Sequence, residues 1–195
     1  MVGPGAGVAL AEGGLPALEQ RVAALEAILA PFSIQPHPGG GYDITITRAN
    51  LYVVNGAGST ATANGLGNVV IGYNESRGEG FYVRTGSHML VVDSENNYSS
   101  WGGIVVGFDN ETDGQYSSVS GGRINTAGGD FSSVSGGGRN QADGVASSVS
   151  GGVRNEAGGD GSSVSGGTFV FVSTPEGWAA GTILSTNVRP GSPRS

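Results

Sequence analysis

Side chains able to act as bases, nucleophiles or metal ligands are few in this chain. The two histidines are His37, set between Pro36 and Pro38, and His88, in a run that reads as strand. General-base work or a metal site needs a carboxylate or further ligands within hydrogen-bonding reach. No helical or heptad register brings such a partner to either histidine. Serine is abundant, but a nucleophilic serine needs a neighbouring base, and the Gly-x-Ser-x-Gly elbow is absent. Gly128-Gly129-Asp130 and Gly158-Gly159-Asp160 carry only part of the Gly-Gly-x-Gly-x-Asp calcium pattern, so both aspartates are read as turn residues. Gly65-Leu66-Gly67 is not followed by the Gly-Lys-Ser/Thr of a phosphate loop. We therefore expect no catalytic, cofactor or metal residues, and no enzyme.

The serines owe their number to repetition. Ser-Ser-Val-Ser-Gly-Gly begins at Ser117, Ser132, Ser147 and Ser162, a fixed interval that marks a stacked repeat. The full unit reads Ser-Ser-Val-Ser-Gly-Gly-x-x-Asn-x-Ala-x-Gly-x-x. Fifteen residues cannot hold two helices and a turn, and serine, valine and paired glycines disfavour helix. Strand periodicity sends Val119, Val134, Val149 and Val164 to one inner column and Ser118 and Ser120 to the other face. Ala127, Ala142 and Ala157 are assigned to the same core. Gly122 with Asn125, Gly137 with Asn140, and Gly152 with Asn155 are assigned to the bends, the asparagines as residues that tolerate left-handed backbone and bond locally. Weaker copies upstream, such as Gly107-Phe108-Asp109-Asn110, extend the array to six or seven coils over residues 65–167.

One valine and one alanine per coil bury little. At about 25 cal/mol per Å² of apolar area this hardly offsets backbone ordering of roughly 1 to 2 kcal/mol per residue. Burial against other chains is the physical expectation.

The N-terminal segment points the same way. Residues 1–14 read as a docking arm. Leu15, Leu18, Val22, Leu25 and Leu29 alternate steps of three and four, a heptad seam in a stub over residues 15–31. Pro16 suits the first turn and Pro31 ends the helix. A helix this short is not stable alone. A parallel coiled coil suits it, although the seam does not separate dimer from trimer. Residues 32–64 form a neck, with Tyr42, Ile44 and Ile46 alternating as a half-buried strand and Asn55-Gly56 as a turn. Residues 168–195 supply a final strand, a Pro175-Glu176-Gly177 turn and a cap that includes Trp178, Ile183 and Leu184.

The repeats, with Gly67-Asn68-Val69-Val70-Ile71-Gly72, Gly103-Ile104-Val105-Val106-Gly107 and the heptad stub, resemble the YadA-like head of trimeric autotransporter adhesins. The resemblance covers about half the chain. It implies a mainly β, homotrimeric, left-handed parallel β-roll solenoid preceded by a coiled-coil helix, and a role in adhesion at a cell surface. Two features depart from that pattern. Met1 to Gly14 carries no basic n-region, and Val188 to Ser195 does not alternate like an outer-membrane strand. A fragment, or a fibre assembled inside the cell as in phage tails and injection particles, fits these ends. The location expected is extracellular, on a cell, virion or particle surface.

Composition narrows the partners. Charged residues are only 13%, low for a globular enzyme, and the 38 glycines lack the collagen period. There is no cysteine and no apolar run long enough to span a membrane. A net charge of -7 disfavours nucleic acid and keeps rods apart. Three readings stay open: an adhesive fibre module that binds a surface glycan or protein receptor, a receptor-less filament subunit, and an ice or lattice binder that uses the serine array. For the first, Tyr73, Arg84, Tyr98 and Trp101, with Arg77, Phe81 and Tyr82, are candidate ligand contacts, or else fill the interior of a trimer.

Overall fold

The computed structural model describes residues 14–76, 78 and 82–181. Residues 1–13 of the docking arm, Arg77, Phe81, Ile183 and Leu184 lie outside the described residues, and Gly14, assigned to the arm, opens the helix. The chain divides into two units, Met1–Tyr52 and Val53–Ser195.

The first unit contains one helix, Gly14–Leu29, and an antiparallel hairpin of Phe32–Pro36 and Tyr42–Ile46. Proline is compatible with the first helical turn at Pro16 and stops propagation at Pro31. The helix buries none of its residues, and its seam stands in solvent: Leu15 is 74% exposed and Leu25 57%. The hairpin differs from the expected neck. Phe32–Pro36 adds a strand that the alternation did not mark, and Tyr42 and Ile44 are exposed rather than half-buried. A five-residue connection rich in glycine lets the chain reverse there, with Gly40 and Gly41 at positive φ.

The second unit is a parallel β-solenoid of about six turns. Its first sheet has eight strands, in order from Val69–Ile71 through Leu90–Val92, Ile104–Val106, Ser118–Val119, Ser133–Val134, Ser148–Val149 and Ser163–Val164 to Trp178–Ala179. Its second has six: Asn97–Tyr98, Glu111–Thr112, Thr126–Ala127, Gln141–Ala142, Glu156–Ala157 and Phe171–Val172. Consecutive repeats pair in register, Ser118 with Ser133 and Ser133 with Ser148. Upstream the coil shortens by one residue, Val91 pairing with Val105, and the first coil is longer, Val70 pairing with Val91. Beyond Gly167 the array continues: Phe171 pairs with Glu156 and Trp178 with Ser163, in the same register as the repeats. The segment read as strand and cap is thus a further coil.

Small inward residues allow the two sheets to approach. Val119, Val134, Val164, Ala127, Ala142 and Ala157 are fully buried, with Val149 1% exposed. The upstream coils use larger residues for the same space, Met89, Val91, Tyr98 and Val105.

Candidate functional site

The regular coils share one inward set, in which asparagine and serine stand beside alanine, glycine and valine. Counting from Asn125, the buried side is Asn125, Ala127, Gly129, Ser132 and Val134. The asparagines form a ladder. Asn140 Nδ2 donates to the Gly136 carbonyl within its own bend at 2.9 Å and to the Gly152 carbonyl of the next coil at 3.0 Å. Its Oδ1 accepts the Asn155 backbone N–H at 3.0 Å, and its own N–H donates to Asn125 Oδ1. Asn96, Asn110, Asn125 and Asn155 repeat the pattern. A buried amide with its donors and acceptor all used satisfies two backbone groups that the bend would otherwise leave unpaired and adds a second donor to the next coil's glycine carbonyl.

This corrects the expected role of the asparagines. The left-handed residue at each bend is the one before, Ile124, Arg139, Arg154 and Phe169, all with φ between 55° and 59°. Asn125, Asn140 and Asn155 are core residues at the bend, not the strained ones. Gly122, Gly137 and Gly152 do take positive φ, and a side chain there would collide with the carbonyl of the glycine one coil on.

Sequence reading missed a second column. Ser117, Ser132, Ser147 and Ser162 are buried, and none of their hydroxyls has a hydrogen-bond partner. The signal was available, since strand alternation run back two residues from Val119 puts Ser117 inside. Serine polarity argued against it. The turn aspartates tie one coil to the next, Asp130 Oδ1 accepting the Gln115 N–H at 2.8 Å and Asp160 Oδ1 that of Val145 at 2.9 Å.

The candidate contact residues are not gathered into one site. Tyr73 is 92% exposed, whereas Tyr98 is 5% exposed and belongs to the upstream core. Burial raises the Tyr98 phenol above its ordinary pKa against the opposing pull of Arg84, so it stays neutral. That burial removes Tyr98 from the contact set. Arg84 Nη2 donates to the Glu75 carbonyl at 2.9 Å and its guanidinium lies 5.6 Å from the Tyr82 ring centroid. Trp101 is half-buried, with its indole Nε1 shielded from solvent and unpartnered. Two aromatics that were not singled out, Tyr116 and Phe131, stack at 5.5 Å on successive coils.

The two histidines lie in different units. His37 Nδ1 lies 3.2 Å from the Asp43 carboxylate across the hairpin, a carboxylate partner that linear spacing did not show, and both side chains are exposed. His88 is not in a strand: at φ 57° it precedes Leu90–Val92, where its Nε2 accepts the Asn55 N–H and its Nδ1 faces the Thr60 carbonyl. Those contacts fix a loop in which Asn55 Nδ2 also bonds Thr62. Among the described residues, no three His, Cys, Asp or Glu side chains stand together as a metal set would require. No described helix is long and apolar enough to cross a membrane.

Charge is sorted by face. Asp113, Asp143 and Glu156 lie on the outer side of the alanine-bearing sheet, and Arg123, Arg139 and Arg154 at the glycine bend. Comparison with family models, with curated proteins and with solved structures found no match.

Proposed function

We propose that this chain is a non-enzymatic structural and adhesive fibre module. Three copies pack side by side as a left-handed roll, project from a larger particle or a cell surface, and bind a surface glycan or protein receptor. The observation that carries the reading is the helix Gly14–Leu29, whose heptad leucines are all exposed and which buries no residue in its own chain. A seam of that kind has no stabilising role in a single copy and a clear one between parallel copies. The thin interior of the repeats, with one valine and one alanine per coil as its apolar content, supports the same conclusion.

Adhesion is supported by the irregular first coil, where Tyr73 and Tyr82 are exposed aromatics away from the regular scaffold, with the half-buried Arg84 beside Tyr82. Light scattering on the chain with and without residues 1–31 tests the assembly: a three-chain mass is expected for the full chain, and its persistence without residues 1–31 would show that the roll itself joins the copies. Glycan and matrix-protein binding by Tyr73→Ala and Arg84→Ala tests adhesion. Lost binding with unchanged melting supports contact, and unchanged binding rejects it.

A filament reading also has an observation in its favour. Phe171–Val172 and Trp178–Ala179 end their sheets among the described residues, and sheet ends can template further pairing. Electron micrographs showing only short discrete particles at high concentration would dismiss it.

A further inference from the structure

The outer face of the eight-stranded sheet carries no charged residue at the positions flanking its central column. It is apolar in the first three strands, with Val69 40%, Ile71 56% and Ile104 40% exposed. In the next four strands every flanking position is serine, as in Ser148 and Ser150, and the last strand presents Trp178. The charges of the repeats lie on the other sheet and at the bend. We propose that this serine face is the surface on which a second copy of the same chain lies, its strands side by side with these. The inference rests on the assembly proposed above and adds which face is used.

Three observations select a copy as the occupant. Each chain carries a net charge of -7, so copies repel wherever carboxylates meet, and this sheet face is free of them. Interface centres are depleted of charge in the same way. Secondly, the outward rows recur once per coil, with Ser133 directly beside Ser148 and Ser163 in line. A partner keeps side chains in contact along several coils only if its own rows have the same spacing, roughly 4.8 Å, and an identical chain has it by construction. Thirdly, serine rows are low and flat, so two backbones can approach closely while the hydroxyls pair. Ser148 and Ser163 already do so within the chain at 3.1 Å. Trp178 shows the kind of group that seats there: its Nε1 donates to Ser165 Oγ at 2.8 Å while the ring stays 64% exposed.

The absence of cysteine makes the test direct. Ser150→Cys and Ser135→Cys place one thiol on the serine face, and Gln141→Cys places one on the opposite sheet. All three positions are exposed in the single chain. Circular dichroism matching the parent confirms folding, and light scattering gives the mass of each variant. Maleimide labelling of the native full-length protein is expected to be at least about tenfold slower at 150 and 135 than at 141, and equal at all three after denaturation. An oligomer labelled equally fast at all three positions would overturn the inference and leave the assembly standing. A single-chain mass would overturn both.

Discussion

Asn140 ties three coils together, so its replacement is the most informative single change. Asn140→Ala leaves the Gly136 carbonyl and the Asn155 N–H without their partner, while the Gly152 carbonyl keeps the Gly138 N–H. At about 1 to 3 kcal/mol for each buried unsatisfied group, a loss of several kcal/mol is expected in chemical denaturation. The buried hydroxyl at Ser132 behaves in the opposite way. With no partner to lose, Ser132→Ala should leave stability unchanged or raise it by about 1 kcal/mol. Glycines divide likewise: a Cβ at Gly144 would run into the Gly159 carbonyl, whereas at Gly136 it meets nothing. Gly144→Ala is expected to lower the melting temperature sharply and Gly136→Ala to leave it in place. Asp143 sets a pH dependence. Burial first, then repulsion from Asp113, holds its carboxyl above the ordinary carboxylate pKa. The folded chain therefore binds that proton more tightly than the unfolded one. Its contribution is full below the unfolded pKa and fades as pH rises through the folded one. Asp143→Asn should remove that fade and flatten melting temperature against pH across the carboxylate range. A steeper slope would contradict the assignment.

The elements were legible to the extent that their cause was periodic. The repeat interval and strand alternation located the valine and alanine columns, because both follow from a side-chain period of two and a coil of constant length. Where the repeat string lapsed although the coil length held, from Phe171 to Trp178, local composition misled, since valine, phenylalanine and tryptophan there suggested a cap. The asparagine ladder was invisible for a different reason. Its bonds join residues 12 and 15 apart, and local turn chemistry offers a simpler use for asparagine. The helix was legible from its heptads, and its full exposure has a consequence at this scale. Leu25→Ser costs a lone chain almost nothing but is expected to reduce helical ellipticity and the mass in solution together. Lost ellipticity at unchanged mass would show that the seam is not what joins the copies.

At the scale of the molecule, the candidate site was the least legible part. Aromatic and cationic residues close in sequence were expected to share a surface, yet Tyr98 is interior and Tyr73 is almost wholly exposed. Strand alternation inside an irregular coil decides such fates, and it cannot be phased without the structure. What the whole chain does make plain is an imbalance. It has a sheet face without charge and a helix with every leucine in solvent. Each is a surface suited to burial that a single copy leaves open. The most direct test is the mass of the full-length protein in dilute solution by light scattering. About three times the 19.4 kDa of one chain is predicted. A stable single chain of 19.4 kDa with a cooperative melt would contradict it.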